Sequence, residues 1–403
     1  MADVASIIAE TVRRERGPLL GGLLRLCGTL DSAEDALQEA TVSALEAWRE
    51  NVPTNPGAWL MTAAKNSAKD VRRREAVARA KAPLLTEDEV DERETIDTVT
   101  DDYLRLVFAC CHPALAVDNQ IALTLKVVCG FATEEIARTF LSSEATISQR
   151  ILRAKQALEG AAFAIPESRE LEARVTAALG VIYALFNEGH IARTGEWMRL
   201  DLQAEALRLC RLLCDLLPCE PEAFGLLALV SFNAARARTR LDTDGNPILL
   251  AHQDRSQWDM ELLREGLMAR GRARSLGGRG SYVLQAEIAA VHATAPAWEK
   301  TDWAAIVTLY DALDAAAPSA VVKMNRAIAI AMLRGPNAGL DALKEVARDL
   351  ADYHLFYATR ADLLERAGKD PRRDLEKALA LATNDAERRL LSERLARPHG
   401  NFT

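Results

Sequence analysis

Strand signals are almost absent from this chain. Runs that alternate apolar and polar residues are missing, and aromatic residues make up only 5% of the 403 positions, which excludes folds built mainly on paired β-strands. Long apolar runs are also missing, so no segment is expected to span a membrane. The first residues carry no apolar stretch after a basic start, because Arg13, Arg14 and Arg16 interrupt it; no signal peptide is expected. The cysteines are seven, an odd number, and most sit inside apolar helical patterns. That argues against a disulfide framework and for a reducing cytoplasm. Positive charge is not in excess: the formal net charge is −8, so any nucleic-acid contact has to come from local basic patches.

What remains is alanine, leucine, arginine and glutamate, with apolar residues recurring at three- and four-residue steps. The pattern predicts an all-α protein, with room for roughly two to four domains. The expected organisation is a helical block over 1–80, an acidic linker over 81–101, a second block over 102–163, a helical extension over 168–298, and helical repeats over 299–400. The linker holds Glu87, Asp88, Glu89, Asp91, Glu92, Glu94, Asp97 and Asp101, with Arg93 the only base among them. A glycine-rich stretch from Gly271 to Ser281 predicts a loop. Trp303, Ile306, Leu309 and Tyr310, then Pro318, then Val322, Asn325, Ala327 and Ala331 resemble one tetratricopeptide unit, with weaker successors at 340–367 and 371–383.

Residues 130–158 carry the clearest motif. Ile136, Ala137 and Phe140 form the apolar stripe of one short helix; Ser142-Ser143 make a turn; Ile147, Ile151, Leu152 and Leu158 form the stripe of a second. The polar side of the second helix carries Ser148, Gln149, Arg150, Arg153 and Lys155. This is the layout of a helix-turn-helix, whose second helix enters the DNA major groove.

Upstream, Asp31-Ser32-Ala33-Glu34 has capping-box character and opens a helix through Ala36, Leu37, Ala40, Ala44, Leu45 and Trp48. Asp35 and Glu39 share a face, read as an acidic docking surface rather than a catalytic pair. A further helix begins near Asn55, with Trp59, Leu60, Ala63 and Ala64 on its apolar face. Its end is basic: from 65 to 81 seven bases stand against two acids, with Trp59 and Asn66 ahead of them. Bases hold phosphates, and an aromatic or amide group can hold an unstacked nucleobase.

Three clusters have competing readings. Cys110-Cys111-His112 lacks the further ligands a zinc site needs, so a buried helix end is expected and no metal or cofactor. Asn187, Glu188 and His190, and separately Asp254, Arg255 and Trp258, are either caps and ion pairs between helices or an interface or small-ligand pocket.

Taken together these residues resemble the sigma-70 family of bacterial RNA polymerase initiation factors, in its extracytoplasmic-function (ECF) group. Residues 31–40 are similar to the polymerase-binding helix, 59–74 to the segment that melts and reads the −10 element, and 130–158 to the −35-reading helix-turn-helix. The resemblance implies core-polymerase contacts at Asp35, Gln38 and Glu39. It implies DNA contacts at Trp59, Asn66, Lys69, Arg72, Arg73, Ser148, Gln149, Arg150, Arg153 and Lys155. Ala36-Leu37 and Lys65-Asn66 depart from the commoner pairs at those places. The tail resembles ECF factors with a long extension ending in tetratricopeptide-like helices; "LFNEG" at 185–189 and "QDRS-x-W" at 253–258 are similar to their signatures. Such extensions are thought to regulate the factor. A non-sigma helix-turn-helix regulator with a ligand- or partner-binding domain is the alternative. An enzyme is not expected, because no phosphate loop or nucleophile elbow is present.

Overall fold

A computed structural model describes residues 4–49, 51–78, 96–112, 115–140, 142–158, 168–190, 198–243, 245–382 and 385–396. Among these the protein is all-α. The exception is an isolated bridge between Leu241 and Pro247. The chain clusters into two compact units, Met1–Ile182 and Tyr183–Thr403, and the division falls within helix α8, Ser168–His190. No described helix is long and apolar enough to cross a membrane.

The first unit holds α1 (Val4–Cys27), α2 (Leu30–Ala47), α3 (Pro56–Ala78), α4 (Ile96–Cys110), α5 (Val117–Val127), α6 (Thr133–Phe140), α7 (Glu144–Ala157) and the first half of α8. α1 is its spine and packs against α2, α3 and α4. Two glycines let α4 come close. A Cβ on Gly21 would lie 2.8 Å from the Asp102 carbonyl oxygen, and one on Gly17 would lie 2.2 Å from the Tyr103 ring. The start of α4 at Ile96 turns the last six positions expected in the linker into helix; 81–95 lie outside the described residues. The first half of α8 buries Val175, Ala178, Leu179, Val181 and Ile182, and Arg174 donates from Nη1 to the Phe108 carbonyl at 2.9 Å.

Local signals account for the helix ends. The α2 cap is Thr29, whose hydroxyl accepts from the Ser32 N–H at 3.3 Å; the expected box at Asp31–Glu34 lies inside the helix instead. Asn55 caps α3 through Oδ1, accepting from the Ala58 N–H at 3.1 Å.

The second unit continues with α9 (Leu200–Leu216), α10 (Pro221–Ala234), α11 (Met260–Ser275) and α12 (Ser281–Thr294). The stretch expected to be a loop from Gly271 is therefore helical as far as Ser275. α10 is apolar on every side and packs against α9, α11 and α12. Then follow α13 (Trp303–Ala316), α14 (Ala320–Arg334), α15 (Pro336–Leu343), α16 (His354–Arg366), α17 (Arg372–Leu381) and α18 (Asp385–Ala396). Each packs on the next, through three successive apolar clusters centred on Ile306, Phe356 and Leu375. Stability that passes from neighbour to neighbour is the mark of a helical-repeat array.

His292 on α12 stacks on Trp298 (6.2 Å, 9°) and meets the edge of Trp303 (5.3 Å, 70°). Burial, then the charges of Arg236 and Arg255, lower its pKa from 6.5 to about 4. His190 is held well below its ordinary value by burial and by Arg240 and Arg236.

Two predictions follow from the packing. Gly21→Ala forces α4 off α1 and is expected to cost about 1–3 kcal/mol in guanidinium unfolding followed by circular dichroism. Gly271→Ala, with nothing within 4 Å of its added methyl, is expected to stabilise by about 0.5–1 kcal/mol. For His292 the folded pKa lies below the unfolded one, so stability present above pH 6.5 is lost as pH falls towards 4. About 2 kcal/mol is expected to disappear between pH 7 and pH 5 from this group. His292→Gln is expected to remove that share from thermal melts taken across the range.

Candidate nucleic-acid interface

α6 and α7 form the helix-turn-helix. Gly130 enters it at φ +74, a conformation glycine reaches without strain. Glu135 folds back to accept from the Ala132 N–H at 2.6 Å, and Ser143 caps α7 by accepting from the Thr146 N–H at 3.2 Å. Ile136 and Ala137 of α6, and Ile147, Ile151, Ala154 and Leu158 of the second arm, are buried. Leu152 is not: it is 44% exposed, and Ala154 occupies the core-facing position expected of it. At 100° per residue, positions 147, 151, 154 and 158 keep within an arc of about 60°, and 152 falls about 100° beyond it, between Ser148 and Gln149.

The polar side of α7 divides in two. Ser148, Gln149 and Arg153 are exposed. Arg150 lies over the Phe140 ring at 5.1 Å, with Asp118 at 3.9 Å. Lys155 is 16% exposed and donates to Asp31 and Glu34 on α2, both at 2.6 Å. Burial lowers the pKa of its ammonium, but the hydrogen bonds it donates to Asp31 and Glu34 outweigh that and leave it raised above 10.5. Glu34 also accepts from Arg16 on α1 at 2.5 Å, and Arg16 donates from Nε to the Lys126 carbonyl on α5 at 3.3 Å.

On α2 the other face is open. Asp35, Gln38 and Glu39 are exposed, and so are Val42 (55%) and Leu45 (40%), which continue the same stripe one and two turns on. Leu45, expected in the core, is thus at the surface, and Val42 is a residue that sequence reasoning missed. An exposed valine and leucine beside carboxylates suit a protein partner better than solvent. Glu39 accepts from the Ser67 hydroxyl, which ties α2 to α3.

On α3, Leu60, Ala64 and Ala68 are buried, while Asn66 and Lys69 are exposed. Trp59 is half-buried, edge-to-face against Trp48 at 5.5 Å and 73°. Arg72 and Arg73 lie within α3, but their side chains are outside the described residues.

The extension candidates converge on two arginines. Asp254 caps a 3-10 turn, accepting from the Ser256 N–H at 3.0 Å. Arg255 donates from Nη1 to the His292 and Ala295 carbonyls at 2.7 and 3.0 Å, and covers the Trp258 ring at 4.6 Å. Trp258 is buried and donates to Thr239 at 3.1 Å. His190 stacks on Phe186 at 5.1 Å, and its carbonyl accepts from Arg240 at 2.5 Å. Asn187 is exposed and Glu188 half-buried. Of the joining residues, Gln253 lies in the 253–258 stretch singled out in the sequence, while Arg236 and Arg240 were missed by sequence reasoning. The one available signal was basic residues at 236, 238 and 240, directly after a helix that is apolar all round. Cys110, Cys111 and Cys129 are buried, burial pushes the Cys111 thiol up to about 12, and no cluster able to hold a metal occurs among the described residues.

Comparison with known proteins agrees with this geometry. The family model for sigma-70 region 2 matches residues 11–77, and that for sigma-70 region 4 matches 105–158. A family of unknown function, DUF6596, matches 174–274, which includes both extension clusters. An uncharacterized protein of Rhizobium meliloti (strain 1021) is 41% identical, over 92% of this chain and 91% of that relative. No solved structure matches the chain.

Glu34→Gln removes a carboxylate shared by two cations and is expected to cost about 1–3 kcal/mol in denaturant unfolding at pH 7. Because the Lys155 pKa is raised, the lysine's share of this contribution is present at pH 7 and fades as pH climbs above 10.5 through the raised value. The gap between wild type and variant is expected to narrow in that alkaline range.

Proposed function

The chain belongs to the sigma-70 family of RNA polymerase initiation factors, and on that premise we propose that it is an ECF-type factor whose C-terminal extension regulates it. As a sigma factor it associates with RNA polymerase and binds DNA to initiate transcription. In the finer reading, α2 docks on core polymerase through Asp35, Gln38 and Glu39, with Val42 and Leu45 as the apolar part of the same surface. Trp59, Asn66, Lys69, Arg72 and Arg73 hold the opened −10 strand, where flipped bases need pockets and cationic backbone support. Ser148, Gln149 and Arg153 read the −35 duplex, with Arg150 and Lys155 at the edges of that surface. The protein works in the cytoplasm as a binding protein, not an enzyme.

The observation that carries the reading is the presence, in one chain and in this order, of a region 2 whose α2 exposes an acid-and-apolar stripe and a region 4 whose α7 exposes Ser148, Gln149 and Arg153. The extension's role rests on its size, its distinct unit and its buried polar clusters.

Run-off transcription with purified core polymerase tests both parts, on promoters selected by genome-wide binding. The full chain is compared with a chain ending at residue 182, where the first unit ends. Promoter-directed transcripts are expected, and their absence from both proteins would remove the initiation-factor reading. Unequal yields from the two are expected; equal yields would remove the regulatory role. Arg153→Ala is expected to weaken −35 duplex binding roughly tenfold, since one good arginine–base contact is worth about 1–3 kcal/mol.

A further inference from the structure

The second unit contains a cavity of about 620 Å³, a volume within the range of small-molecule sites. It is lined from α8, α10, α12, α13 and α14, all within that unit. Its walls are largely apolar and aromatic, with Phe232, Ile288, Tyr310 and Leu313 among them. Its polar wall is built from Asn233, Arg236, Gln285 and His292.

Charge makes this wall unusual. Arg236 is the one arginine of the lining, and no aspartate, glutamate or lysine lines the cavity with it. The guanidinium donates from Nε to the neutral Gln253 amide at 3.1 Å and lies over the Trp258 ring at 5.9 Å, and it forms no ion pair among the described residues. The charge that acts on it is that of Arg255, of the same sign; burial and Arg255 together lower its pKa to about 10. Arg236 is half-buried, and withdrawing a cation from water without a counter-charge is unfavourable, so the fold holds it against a standing cost. Beside it, His292 Nδ1 and Arg255 Nη2 are buried with no hydrogen-bond partner. His292 is neutral near pH 7, so it can supply a hydrogen bond without adding charge.

The 253–258 stretch fixes these groups in place. Gln253 is buried, donates to the Ile248 carbonyl at 2.9 Å and presents its oxygen to Arg236. Arg255 anchors the end of α12 just beyond His292 through the two carbonyls it binds.

We propose that this cavity binds a small organic anion, with its acidic group on Arg236 and an apolar, ring-bearing body against Phe232, Ile288, Tyr310 and Leu313. An anionic group supplies the counter-charge that Arg236 lacks. The apolar walls supply the area that holds the rest of the molecule. The binding claim stands apart from the initiation-factor reading, and identifies a site through which the extension would respond to a metabolite.

The test is a fluorescence titration of the full chain with 8-anilinonaphthalene-1-sulfonate, an aromatic anion, and with uncharged N-phenyl-1-naphthylamine. The wild-type protein is expected to bind the sulfonate saturably, at one site, at least tenfold more tightly than the neutral analogue. Arg236→Met is expected to weaken sulfonate binding tenfold or more and to change neutral binding less than twofold. Ala289→Phe fills the cavity from α12 while leaving Arg236 in place, and is expected to abolish both. Circular dichroism reports whether each variant folds. If Arg236→Met does not fold, Ala289→Phe decides alone. Sulfonate binding unchanged in a folded Arg236→Met, or retained in Ala289→Phe, overturns the proposal. So does equal affinity for the two probes in the wild type.

Discussion

Glu34 is one carboxylate held by two cations from different helices, Arg16 on α1 and Lys155 on α7, and the first unit depends on that sharing. It joins the spine, the helix assigned to polymerase and the helix assigned to DNA. Asp102 does the same further along: almost fully buried at 3% exposure, it meets Arg105 at 3.1 Å and Arg25 at 3.4 Å, and pins α4 to α1 where Gly17 and Gly21 admit it. Buried carboxylates of this kind are costly when unpaired and favourable when each oxygen finds a cation, so they specify one arrangement of helices. α2 can bear two duties along its length. Asp31 and Glu34 in its first turns meet Lys155 of α7, while Asp35, Gln38, Glu39 and Val42 are exposed.

The second unit solves a different problem. α10 is buried nearly all round, and Gly225 lets α12 approach until an added Cβ would stand 2.7 Å from the Val283 nitrogen. The chain then leaves this apolar core through Arg236 and Arg240. Arg236 donates to the Gln253 amide and Arg240 to the His190 carbonyl. The two polar clusters at 187–190 and 253–258 are therefore parts of one arrangement around the half-buried Arg236 and the buried Arg240. Through α13–α18 each helix covers the previous one, with Arg360 paired to the buried Asp374 and Arg388 donating to the Leu379 and Ala382 carbonyls.

What could be read in the sequence was whatever local periodicity and capping determine. The stripes of α6 and α7, the Ser143 turn, the start of α3 at Asn55 and the Trp303–Ala331 hairpin all follow from residues within a few positions of one another. What could not be read depended on distant partners. Lys155 sits on the same helix as Arg153 and looks equivalent to it, yet its carboxylates lie 121 and 124 positions earlier. Leu45 and Leu152 each stand beside a buried residue in the sequence, Ala44 and Ile151, but one step of 100° carries both off the buried stripe. Arg236 stands in an alanine-rich run and resembles an ordinary solvated base. Only the return of Gln253 and the approach of α12 bury it.

The tie between α2 and α7 carries a thermodynamic consequence. A lysine that donates to Asp31 and Glu34 cannot at the same time donate fully to a DNA phosphate. Any engagement of duplex by Lys155 has to offset the carboxylate contacts it gives up, and the release leaves Glu34 with Arg16 alone. Coupling free energy is reciprocal: whatever pulls α2 away from α7 makes Lys155 available to DNA, and DNA that takes Lys155 loosens α2 by the same amount. The proposed polymerase surface lies on that same α2, one residue from Glu34 at Asp35. A docking event there and a phosphate contact at Lys155 therefore act on one shared carboxylate. On the proposed assignments, the ion pair links the two binding surfaces of the first unit.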